Sequence, residues 1–228
     1  MLIGVAGFAH SGKDTTCDIL RHHGLVSHRY AFADPIKQTC NALFGWAERH
    51  AFGDLKEVDC SVSFDTFALN WEQFIDTVDE YALDTWGMDH YQIYHCLMSY
   101  LKVVEAKEGE WATVATSPRE VYQVFGTEVG RERLHRDVWV LSAPLDDVCI
   151  PDVRFHNECD YLRSKGATII RINRGAHTPV RPHASERYIS ELNVTAEYDN
   201  EGSLYDLETW VMEYFKIDPN SPRLFPDG

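Results

Sequence analysis

An α/β fold built around a nucleotide-binding loop is predicted by three features of this 228-residue chain. An apolar run, Leu2 to Ala6, stops at a glycine; the pattern Gly7-x-x-x-x-Gly12-Lys13 follows; and Thr15 to His23 reads as a helix with one polar face. Further on, two apolar runs, Val148 to Phe155 and Ala167 to Asn173, have the length of buried strands and flank a helical stretch, Asn157 to Ser164. Strands that alternate with helices in this way build a parallel sheet.

The first strand, loop and helix form the strongest signal. In a P-loop, successive backbone N–H groups converge on phosphate oxygens, the lysine adds a mobile charge, and the helix N-terminus favours the same anion. Gly7, His10, Ser11, Gly12, Lys13, Asp14 and Thr15 are therefore the candidate nucleotide contacts. Asp14 stands where the motif expects Ser or Thr. A carboxylate is a good hard ligand for Mg²⁺, yet it puts negative charge near a triphosphate, so Ser11 and Thr15 are neutral candidates for the same role.

Composition narrows the class. Apolar residues make up 44% and charged residues 25%, ordinary globular usage, and one domain with an insertion is expected. A formal charge of −15 with no lysine or arginine run excludes a nucleic-acid partner, although a few focused arginines can still hold a small phosphate. No window reaches the roughly 18–20 apolar residues of a membrane span, and the leading apolar stretch has only a strand's length. A soluble, cytoplasmic protein is expected. Six scattered cysteines without a C-x-x-C pair argue against zinc and against a disulfide framework, so reduced thiols are expected.

Along the chain, His28 to Phe32 reads as a second strand beside the P-loop strand, and Asp34 and Pro35 open a helix that carries Lys37. That lysine is either a solvated helix residue or a substrate contact at the ligand-binding end of the sheet. Residues 46–115 are aromatic and acidic, without repeat or clear strand signal, and read as a helical insertion. Tyr91, Tyr94, Leu97, Met98 and Leu101 recur at helical spacing and read as core, His90 and His95 as surface or satisfied histidines, and Trp46, Trp71 and Trp86 as pocket lining or filling.

Ser117, Pro118 and Glu120 form a capping box for a short helix that Gly126 is expected to end, with Arg119 and Gln123 sharing one face. Arg131 follows on a second helix. These cations and the amide suit a phosphate and a base edge, or else they pair with Glu128 and Glu132. Asp152 ends the Val148 to Phe155 strand, where a P-loop protein keeps its second Mg²⁺ anchor, and Arg154 faces the same way. The stretch from Arg174 to Arg187 is rich in Pro, Gly, Arg and His and suits a lid, in which Arg174, Arg181 and Arg187 reach over phosphates. Val194 to Asn200 is the last strand, Leu204 to Phe215 the last helix, and the tail after Asp218 a loosely held end.

Taken in order, GFAHSGKDTT, FADPIK, SPREVYQVFGTEVGR, IPDVRFHNE and HASE resemble the deoxynucleoside monophosphate kinases of bacteriophages. Specificity comes from the PRxxxQxxGTExGR and DVRFxNE segments together, since GKDT alone also occurs in phosphomevalonate kinase. The resemblance implies a P-loop kinase fold with a five-stranded parallel sheet, a monophosphate-side insertion (about 46–115) and a lid (174–187), all in one domain. It implies transfer of the γ-phosphoryl of ATP, with Mg²⁺, to a deoxynucleoside monophosphate, in the host cytoplasm if the chain is phage-encoded. On this reading the P-loop residues and Arg174 hold ATP. Lys37, Arg119, Gln123, Arg131 and Arg154 hold the monophosphate. Lys13, Arg131, Asp152 and Arg181 act on the transferring group, Asp14 and Asp152 serve the metal, and His183, Ser185 and Glu186 match the H-x-S-E lid motif. A homodimer is admissible. Kinases of phosphomevalonate or dephospho-coenzyme A type, and a regulatory P-loop ATPase, are the alternatives.

Overall fold

The buried run Ile3, Gly4, Val5, Ala6 forms the middle strand, β1 (Leu2–Ala6), of a five-stranded sheet. The computed structural model describes residues 1–104, 113–175 and 188–226. These divide into two compact units, Met1–Phe32 with Ala143–Gly228, and Ala33–Ser142.

In the first unit β1 lies between β6 (Val148–Val153) and β7 (Thr168–Asn173), with β2 (His28–Arg29) and β8 (Ala196–Asp199) at the edges, and every pairing is parallel. The strand alternation sorts the two faces. Ile3, Val5, Cys149, Ile170 and Ile172 pack with Ile19 and Leu20 of α1 (Lys13–His22) and with Leu207 and Val211 of α10 (Leu204–Tyr214). Gly4 faces the other way, where an added Cβ would meet Ile169 at 2.6 Å and Leu162 of α9 (His156–Ser164) at 3.2 Å. The five-stranded parallel sheet flanked by helices is as expected. Two details differ. The second strand is only two residues long, and it borders β6 rather than β1.

Cys17 of α1 and Cys149 of β6 are joined in a disulfide, with Cα atoms 5.7 Å apart, against the expectation of reduced thiols. The 132 residues between them leave no local spacing signal, and only the packing of α1 on β6 brings them together. Cys40, Cys60, Cys96 and Cys159 are free.

The end after Asp218 is also held, not loose. Glu208 of α10, with no exposed surface, accepts from the backbone N–H of Leu224 (2.7 Å) and of Phe225 (2.9 Å) and bonds His23 at 2.9 Å. The Arg223 guanidinium lies 4.1 Å from the centre of the Tyr205 ring. A proline-rich composition hides such anchoring because the partners lie on a helix.

The second unit contains α2 (Asp34–Phe44), α3 (Glu48–Phe52), α4 (Phe64–Leu69), α5 (Trp71–Glu80), α6 (His90–Tyr100), α7 (Pro118–Val124) and α8 (Val138–Leu141). It also holds an antiparallel sheet that the sequence did not signal: β5 (Thr113–Thr116) between β3 (Cys60–Ser63) and β4 (Val103–Val104). Its strands of two to four residues are too short and too polar to stand out. Asp34 is the first helical residue of α2 and not its cap. Of the aromatic stripe, Leu97 and Leu101 are core, Tyr94 and Met98 are half-buried and Tyr91 is exposed; His90 pairs with Asp79 at 2.6 Å and His95 is a surface residue.

Gly126 does not end α7. The helix runs on into a π-helix, Phe125–Leu134, because two glycines there admit a large ring. The Trp139 indole N–H donates to the Gly126 carbonyl at 2.8 Å, and a Cβ on Gly130 would stand 2.1 Å from the same ring.

Burial tends to raise the Glu208 pKa, but the Leu224 and Phe225 N–H groups and His23 outweigh it and hold the carboxyl below its ordinary range. A depressed folded pKa means that the stabilisation is complete above the unfolded value and is lost as pH falls through the folded one. Glu208→Gln should therefore lower stability at neutral pH by about 1–3 kcal/mol, since a side-chain amine then faces a buried N–H. It should also flatten the acid limb of the stability curve, as urea titrations between neutral and acid pH would record.

Candidate active site

β1 delivers the chain into the P-loop, and the backbone there has room for little else. Gly7 (φ 151°) would bring a Cβ to 2.4 Å from the Ile172 carbonyl, and Gly12 (φ 107°) caps α1 in a left-handed conformation. No side chain caps that helix, so its first N–H groups are left to an anion. Lys13 is buried, with Nζ donating to the Phe8 carbonyl across the loop. Ser11 is 1% exposed and its hydroxyl has no hydrogen-bond partner among the described residues. A buried hydroxyl in that condition inside a glycine-walled loop fits a phosphate oxygen or a metal-bound water.

His10, Gly12, Lys13, Asp14, Thr15 and Arg174 line one cavity of about 360 Å³ with Asn200, Leu204 and Leu207. The structure thus gathers the expected P-loop contacts and Arg174. Asp14 is exposed in the first turn of α1, where its Oδ1 accepts from Arg29 at 2.8 Å. That arginine balances the carboxylate the motif does not call for. Asp152 lies beside the end of β1, where Ala6 pairs with Val153, and its Oδ1 accepts from the Phe32 N–H at 2.9 Å. Arg154 follows β6, half-buried, with its backbone N–H on Glu158 at 2.8 Å.

The other expected contacts belong to the second unit. Ser117 caps α7 by accepting from the Glu120 N–H at 3.3 Å, while Glu120 turns to the Thr116 hydroxyl at 3.1 Å, so the expected capping box forms by half. Tyr122 points inward to Asn41, and burial foremost, then Cys40 and Cys60, raises its pKa. Arg119 and Gln123 consequently share the exposed face of α7. Arg119 pairs with Glu57, and Lys37 of α2 lies 3.7 Å from the centre of the Phe52 ring. Arg131 is half-buried on the π-helix. Trp46 stacks on Phe44 at 4.4 Å and lines a second cavity with Gln38 and Gln73, whereas Trp86 stacks on His135. Arg181, His183, Ser185, Glu186 and Arg187 lie outside the described residues.

Sequence reading missed Arg29 and Asn200. Neither belongs to a spacing pattern, and each reaches the loop only because the sheet brings distant strands to it.

A parallel sheet with the phosphate loop after its middle strand defines a P-loop kinase fold. The chain belongs to the deoxynucleotide monophosphate kinase family, whose model matches residues 1–211. The deoxynucleoside-5'-monophosphate kinase of Escherichia phage T5 is 29% identical over 193 residues, 72% of either chain. The deoxynucleotide monophosphate kinase of Escherichia phage RB69 is 24% identical over 90% of this chain and 96% of its own. That of Enterobacteria phage T4 is 24% identical over 95% and 99%. The enzyme is a kinase of deoxynucleoside monophosphates, and neither a phosphomevalonate or dephospho-coenzyme A kinase nor a regulatory ATPase is favoured.

Lys13→Ala should cut phosphoryl transfer by about 100-fold or more, the usual loss when one charge-stabilising donor is removed from such a site. Its far-UV spectrum and cooperative melting should persist, and steady-state turnover read beside thermal unfolding checks both.

Proposed function

We propose that ATP is the phosphoryl donor, bound by the P-loop and Arg174, and that its γ-phosphoryl passes to a phosphate oxygen of a deoxynucleoside monophosphate, leaving ADP. The observation that carries this reading is the loop itself: glycine-walled, with Lys13 folded into it and the Ser11 hydroxyl buried without a partner among the described residues. Such a transfer needs in-line positioning and cationic screening more than a protein nucleophile, and an anionic acceptor needs little help from a base.

Lys13 follows the moving phosphoryl. Lys37, Arg119, Arg131 and Arg154 bind the monophosphate, and Gln123 reads the base. The Glu57 carboxylate on Arg119 and the Phe52 ring under Lys37 are partners that a phosphate would replace. Arg131 and Arg181 screen the transferring group, and residues 174–187, with His183, Ser185 and Glu186, form a lid that excludes water from a single kinase domain. Asp14 and Asp152 offer the hard oxygen donors that Mg²⁺ takes, directly or through water. Bound there, Mg²⁺ would neutralise charge on the β- and γ-oxygens. No described helix is long and apolar enough to cross a membrane, and the proposed place of action is the cytoplasm of the infected host.

Two measurements test this. In Asp14→Ser the Mg²⁺ concentration for half-maximal rate should shift several-fold; an unchanged Mg²⁺ profile removes Asp14 from the metal. With ATP and each of the four common deoxynucleoside monophosphates, kcat/KM should be high for several and at least about 100-fold lower for one. An amide pairs with a base edge through one donor and one acceptor, and a reversed edge leaves buried groups unpaired. Gln123→Leu should narrow that spread by weakening the good substrates, and equal activity on all four would show that the base is not read.

A further inference from the structure

We propose that Asn200 is a positioning residue for the donor site: it fixes the direction in which the phosphate loop presents its backbone N–H groups. The inference rests on the reading of the loop as the ATP site. Asn200 follows β8 directly, and its backbone N–H donates to the Asn173 carbonyl at the end of β7, 2.8 Å away. The residue is 5% exposed. Its side-chain Nδ2 donates to the Ser11 carbonyl at 2.8 Å, across 189 residues of sequence. Only the amine half of an amide can face a carbonyl, so this contact sets the orientation of the whole side chain.

Peptide planarity turns that one bond into a constraint on the loop. In a trans peptide the carbonyl of one residue and the N–H of the next point in opposite directions. Holding the Ser11 oxygen toward Asn200 therefore aims the Gly12 N–H away from Asn200. The Gly12 carbonyl is committed in turn to the Thr16 N–H and the Thr16 hydroxyl, each at 2.9 Å, so both peptides at the start of α1 are fixed. The fit is tight: a Cβ on Gly12 would stand 2.7 Å from Asn200 Nδ2. The need for glycine at this position thus comes from its neighbour as well as from its left-handed backbone. Asn200 also lines the 360 Å³ cavity with Lys13 and Arg174, so the tie lies at the wall of the donor site.

The test uses Asn200→Asp and Asn200→Ala in the full chain. Aspartate keeps the shape but sets an acceptor against the Ser11 carbonyl and adds a negative charge beside the phosphates; alanine removes the tie without charge. Titration calorimetry with ATP and with ADP, no monophosphate present, should show affinity lowered at least tenfold in Asn200→Asp and about tenfold in Asn200→Ala. The KM for ATP should rise in step while the KM for the monophosphate stays within twofold. If Asn200→Asp does not fold, Asn200→Ala carries the test. ATP affinity within twofold of the unmodified protein, or KM values for both substrates rising together, overturns the inference and leaves the donor assignment standing. An unmodified chain that binds neither ATP nor ADP overturns both.

Discussion

The structure depends on one crowded junction, where β1 ends and the backbone must turn through Gly7 against the Ile172 carbonyl of the neighbouring strand. β1 is paired on both edges and covered on both faces, so its end cannot shift without moving the sheet. The loop that leaves it inherits that rigidity. Interiors packed to crystal-like density pass on small displacements, and a phosphate cradle benefits from having nowhere to relax. Lys13, the one cation buried inside the loop, gains most, because its position decides whether its charge meets the transferring group.

Charge is distributed in keeping with this. The chain carries −15 overall, yet the expected phosphate contacts hold Lys13, Lys37, Arg119, Arg131, Arg154 and Arg174. Several of these cations already have partners: Arg119 has Glu57, Lys37 has an aromatic face, and Lys13 has a backbone carbonyl. A negatively charged ligand thus meets side chains held in place and exchanges one partner for another, which limits the ordering cost of binding.

The parts legible in sequence were those written in local patterns. The strand, glycine loop and helix at the N-terminus, the buried runs of β6 and β7, and the Ser117 cap of α7 each follow from a few consecutive residues. What escaped is non-local. The strands of the small antiparallel sheet have two to four residues and pair across an interval of sequence that carries no period. Cys17 and Cys149 meet only through the packing of α1 on β6. The C-terminal segment looked loose because Glu208, which holds it, sits on a helix as one more acidic residue. Gly126 was misread for a different reason: glycine often ends helices, but here it admits the Trp139 ring, and nothing in the sequence around Gly126 announces a partner thirteen residues away.

The π-helix that follows α7 couples the length of the chain to the direction of its side chains. A wider turn accommodates an extra residue, so its ten residues, Phe125–Leu134, turn through less angle than ten residues of α-helix. Arg131 therefore owes its bearing to residue number as much as to residue type. Loss of a single residue from this stretch, rewinding it to ordinary α-helix, would swing every later side chain by about 100° around the axis. Drift in this segment is consequently confined to substitution: its letters can change, but its count cannot.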